Sequence, residues 1–172
     1  MIKNNSVNKL FPAITFAVAV GLIITALIWI AKPGAEKESD QELVTATSLV
    51  ANEQSFDFGE ISMADGVTTH DFQVVNTSAE PITINGISTS CMCTEALLHY
   101  HEDSHGPFGM PGHGAMPHLE QTINPDESFV VEAKYDPNAH GPAGVGPVNR
   151  VVSVETSNGE LLELQILAVV TP

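Results

Sequence analysis

The sequence predicts an all-β fold, a sandwich of short strands, preceded by one transmembrane helix near the start of its 172 residues. Three observations lead there. Apolar residues recur at period two in the last two thirds of the chain, turn-forming residues separate those runs, and one uncharged apolar span of membrane length precedes them.

Residues 11–31 read FPAITFAVAVGLIITALIWIA and carry no charge. About 20 such residues cross a bilayer as a helix. Lys3 and Lys9 precede the span and Lys32 and Lys37 follow it, so the lysine balance does not orient it. Its place in the chain predicts a signal anchor, with residues 1–10 as a short cytoplasmic tail and the domain outside the cytoplasm. A cleaved signal peptide has a shorter apolar core and a small-residue cleavage site, and no A-x-A precedes Lys32. A lipoprotein would need a cysteine just after the span, whereas the first is Cys91. Residues 32–52 are charged and contain Pro and Gly, which predicts a flexible linker.

The folded part is then expected over residues 53–172. His70, Phe72 and Val74 alternate with Asp71 and Gln73, and Ile82 and Ile84 flank Thr83. Phe129, Val131, Ala133 and Tyr135 alternate with Val130, Glu132 and Lys134. Val152 and Val154 flank Ser153, and Leu162, Leu164, Ile166 and Ala168 alternate with Glu163 and Gln165. Successive strand residues face opposite sides, so each run presents one apolar row. Ser157-Asn158-Gly159 between two such runs is a hairpin signal. Residues 94–123 show no convincing alternation and read as an insert rather than as strands.

Charge narrows the function. The chain has 21 acidic and 6 basic side chains, and beyond residue 50 the only basic ones are Lys134 and Arg150. Such a surface repels phosphate backbones, so nucleic acid is not an expected partner. The expected associations are with the membrane, through the anchor, and with another protein of the cell envelope.

Several motifs carry a family resemblance. FDFGEI begins at Phe56, DFQVVNTSAEPITINGISTSCMCT at Asp71, VVEAKYDP at Val130, and VVSVETSNGELLELQILAVV closes the chain. Together they resemble the bacterial DUF1573 family, which is similar to the immunoglobulin-like domains of the ASPM–SPD-2–hydin group. The resemblance implies an Ig-like β-sandwich in the cell envelope and no established activity. It also exposes two departures: Met92 stands where the family usually has Gly between the cysteines, and residues 94–123 replace a shorter connection.

Both departures fall on a concentration of soft ligands. Five of the seven histidines and three of the five methionines lie between Met92 and His118. Cys91 and Cys93 are followed by His99, His101, His105, Met110, His113, Met116 and His118. Thiolate and thioether suit Cu(I), and thioether is a poor zinc ligand, so the set points to copper, with tetrahedral zinc as the alternative. The bland alternative is a solvated loop that holds no ion.

On an extended strand Cys91 and Cys93 would share one face, and outside the cytoplasm they could pair as a disulfide. A catalytic thiol pair is usually C-x-x-C at a helix N-terminus, and nothing of that kind is present. No nucleophile elbow, phosphate loop or H-E-x-x-H occurs, so the chain does not read as an enzyme. Three functions stay open: a metal-binding envelope domain, a structural or interaction module without metal, and a thiol redox protein.

Overall fold

The computed structural model describes residues 48–172 apart from Ala115. The predicted tail, the anchor at 11–31 and the linker as far as residue 47 lie outside the described residues. Among the described residues no helix is long and apolar enough to cross a membrane.

Among the described residues ten strands form two sheets, and the all-β sandwich expectation holds. One sheet runs in the order β1 (Leu49–Ala51), β3 (Thr68–Asn76), β8 (Ser128–Tyr135), β5 (Thr94–Tyr100), β6 (Asp103–Phe108). The other runs β2 (Ser55–Ser62), β10 (Leu161–Thr171), β9 (Gly146–Thr156), β4 (Ile82–Thr89), β7 (Gln121–Ile123). The predicted apolar rows form the core between them: Phe72 and Val74 on β3, Phe129, Val131, Ala133 and Tyr135 on β8, Val152 and Val154 on β9, and Leu162, Leu164 and Ile166 on β10. Each Val, Leu, Ile or Phe among them contributes about 1.5–3 kcal/mol when fully buried. A register shift between Ile84 and Gly86 moves the inward row of β4 from Ile82 and Ile84 to Ile87 and Thr89. The 157–159 turn joins β9 to β10, with Gly159 at φ 85°, a conformation that suits glycine.

Two expectations are corrected. The predicted linker reaches residue 52, yet β1 pairs with β3 and Leu49 is 1% exposed. One buried leucine with short flanks gives no periodic signal in the sequence. The second correction concerns residues 94–123, which hold three strands. Thr94, Ala96, Leu98 and Tyr100 of β5 do alternate inward. The outward Leu97 and the inward polar Thr94 hide that period. β6 lies at a sheet edge, where a polar, proline-containing strand such as DSHGPF is tolerated.

Topology sets up one end of the sandwich. β4 belongs to one sheet and β5 to the other, so the four residues between them cross from sheet to sheet. β8 and β9 also belong to different sheets, and their connection crosses at the same end. Asp136 N–H donates to Cys93 O at 2.9 Å and ties the two crossings together.

Candidate functional site

Cys91 and Cys93 lie in the first crossing, on a tight turn rather than on the extended strand the sequence suggests. Thr94 N–H closes the turn on Cys91 O at 3.1 Å. The buried Thr89 supports it from β4, its hydroxyl 3.0 Å from Cys91 O and 2.9 Å from Thr94 O. Ser90 clamps the turn to β9: its N–H donates to Val151 O, and its hydroxyl accepts from Val151 N–H, each at 2.9 Å. The turn brings the two Cα atoms within 5.2 Å of each other, and the sulfurs are joined as a disulfide.

The two sulfurs have different surroundings. Cys93 is 3% exposed and packs in the core, whereas Cys91 is partly exposed beside the solvent-facing Met92. Cys91 Sγ lies 3.2 Å from His140 Nε2, on the second crossing. Cys93 Sγ accepts from Arg150 Nε at 3.2 Å, and Arg150 stands on β9 next to the turn. The ligand atoms of Cys91, Cys93 and His140 all lie within 4.8 Å of one another. Among the described residues no other group of three His, Cys or acidic side chains converges in this way. Tyr135 is buried close by. Burial pushes its phenol above the ordinary value, with the Arg150 charge acting in the opposite direction.

The other candidate ligands are dispersed. His99 is 2.9 Å from Glu132 on the outer face of the first sheet, and His101 is 3.9 Å from Glu127 beyond the far end of β5. At about 3.3 Å per residue, β5 carries His99 roughly 17 Å past Thr94. His105 is 3.0 Å from Gln121. His113, Met116 and His118 are exposed between β6 and β7, and His118 is 3.9 Å from Glu120. Met110 comes closest by chain position, because Thr89 N–H donates to Gly109 O at 3.1 Å beside the cysteine turn.

Sequence reasoning missed His140 and Arg150. His140 is 49 residues from Cys91, and Arg150 is 57 from Cys93. The one available signal was scarcity: Arg150 is one of two basic side chains beyond residue 50.

With this geometry in place, similarity to known proteins can be stated. The family model described as "Protein of unknown function (DUF1573)" matches residues 49–105, which bears out the resemblance there and includes the cysteine turn. No curated protein matches the chain. A protein of unknown function from Porphyromonas gingivalis W83 is similar in structure at 15% identity and a TM-score of 0.51, over 70% of this chain and 46% of that one. The ASH / PapD-like domain 7 of human CEP192 aligns at 12% identity and a TM-score of 0.45, over 73% of this chain and 86% of that domain. The chain therefore spans under half the length of the Porphyromonas protein, and at these identities the likeness concerns the fold alone.

Proposed function

We propose that this chain is a membrane-anchored, extracytoplasmic Ig-like domain that binds one Cu(I) ion, when reduced, through Cys91, Cys93 and His140. The observation that supports this reading most directly is the convergence of two sulfurs and one imidazole nitrogen within 4.8 Å. Thiolate and imidazole are both good Cu(I) donors, and Cu(I) accepts low coordination. Zinc in a structural site takes four ligands, and among the described residues three converge. Two thiolates and one Cu(I) leave a net negative charge, which the Arg150 guanidinium offsets at Cys93. The acidic surface also favours approach of a cation. The segment 11–31 supplies the anchor, and digestion of the domain by protease added to intact spheroplasts tests that placement. Protection equal to that of a cytoplasmic control would contradict it.

Titrating the reduced full chain with Cu(I) against a chromophoric chelator tests the site. The Cys91→Ser/Cys93→Ser variant should lose the binding, and His140→Ala should weaken it by about tenfold or more, since losing even an outer partner of a ligand costs about that much. Replacing Met110, His113, Met116 and His118 together by Ala should cost less than His140→Ala. Affinity should fall with pH, because protons compete for both sulfur and imidazole. Parent-like binding by the double serine variant would overturn the proposal.

A further inference from the structure

We propose that the Cys91–Cys93 disulfide is opened by exchange with an external thiol, with Cys91 as the attacked sulfur and Cys93 as the leaving thiolate held by Arg150. This rests on the reading of the turn as a functional site and adds its regulation: reduction converts a closed disulfide into the form that binds metal. The two sulfurs of the pair differ in exposure. Cys93 is 3% exposed, whereas Cys91 is partly exposed and flanked by Met92 at 55%. A thiolate from solvent therefore meets Cys91 first.

The second observation is the placement of charge. Of the two basic side chains beyond residue 50, Lys134 lies 3.5 Å from Glu132 on the outer face of the sheet. The other, Arg150, directs Nε–H at Cys93 Sγ at 3.2 Å. Among the described residues no carboxylate forms an ion pair with Arg150. A cation at a sulfur stabilises the thiolate that leaves, and exchange is faster when the leaving thiolate is stabilised. The arginine thus marks Cys93, the buried sulfur, as the leaving group, in agreement with the exposure of Cys91.

The step balances without a further oxidant or reductant. An incoming thiolate, R–S⁻, forms a bond to Cys91 Sγ. The Cys91–Cys93 bond breaks, and its electron pair leaves with Cys93 as thiolate. A second thiolate from the same reagent then attacks the mixed disulfide and releases Cys91. Two reagent thiols are oxidised to one disulfide, and the protein disulfide is reduced to two thiolates.

The test uses the oxidised full chain and reduced glutathione. Samples are acid-quenched over time, alkylated with a maleimide and digested, and the adducts are assigned by tandem mass spectrometry. Glutathione is expected on Cys91 and maleimide on Cys93, in about tenfold excess over the reverse. Arg150→Gln should slow reduction about tenfold, while Arg150→Lys stays within about threefold of the parent. Glutathione on Cys93, or shared evenly, overturns the proposal, as does a parent-like rate in Arg150→Gln. An Arg150→Gln chain that unfolded would be reduced faster, not slower, so misfolding cannot imitate the expected result. Chemically pre-reduced protein titrated with Cu(I) keeps the two readings apart. Normal Cu(I) binding with the wrong adduct pattern sinks only the exchange step, and the right adduct pattern without Cu(I) binding sinks only the metal site.

Discussion

Asn76 is wholly buried and polar, and its side chain pins the end of β3. Its amide donates to Glu80 O at 2.9 Å and to Ile123 O at 3.0 Å, while its oxygen accepts from Ser78 N–H and the Ser78 hydroxyl. Asn76→Ala should cost about 1–3 kcal/mol, because it removes the donor to the buried Ile123 carbonyl, whereas Glu80 O keeps the Ser78 hydroxyl. A denaturant melt checks this, and a loss below about 0.5 kcal/mol would contradict the network's role. Glu160 acts at the same scale. The Ser48 backbone N–H, at 2.7 Å, leads the hydrogen bonds that hold its carboxyl below the ordinary value. A folded-state value below the unfolded one means the contribution is complete above the ordinary glutamate range and fades as pH falls through the folded value. Glu160→Gln should therefore lower Tm near neutrality and flatten its decline at acid pH. A parallel shift at all pH values would contradict this.

Among the strands, β1, β5 and β6 carry no clear periodic signal in the sequence. β1 is a strand because Leu49 is buried, so Leu49→Ala should destabilise the domain by about 2–4 kcal/mol. A true linker residue would change stability by less than about 0.5 kcal/mol, and a thermal melt distinguishes the two. β8 and β10 were legible because each keeps an unbroken apolar row of period two, and β3 and β9 because Phe72 and Val74, and Val152 and Val154, keep one over part of their length. β5 was not, because Leu97 interrupts its period, and β6 was not, because an edge strand needs no apolar row. The cysteine turn shows a third kind of limit. Cys-x-Cys fits a strand or a turn equally well in sequence, and the choice is made by Thr89, Ser90 and Val151, whose hydrogen bonds come from β4 and β9. The same element-scale view restricts deletion experiments: removing residues 99–118 would delete β6 with the loop, so the loop is better probed by point substitutions.

At the scale of the whole molecule, the fold performs the assembly that spacing cannot. Two sheet crossings meet at one end and bring together residues 49 and 57 positions apart. The sequence singled out the two cysteines but not His140 and Arg150, which the fold sets beside them. Within the histidine- and methionine-rich segment, His99 and His105 are built into β5 and β6 and lie beside Glu132 and Gln121 rather than at the cysteine turn. The disulfide itself carries little of the fold. It closes a ring of adjacent residues, so reduction should lower stability by no more than about 2 kcal/mol. A reduced chain that keeps its cooperative melt agrees with this, and one that unfolds on reduction contradicts it. That tolerance bears on the proposed site, since reduced cysteines could hold copper only on a scaffold that survives reduction. Copper K-edge absorption of the reduced full chain loaded with one equivalent of Cu(I) reads the donor atoms of the proposed site. Two sulfur ligands and one nitrogen are predicted, with the nitrogen lost in His140→Ala, whereas a first shell of nitrogen and oxygen without sulfur would contradict the account.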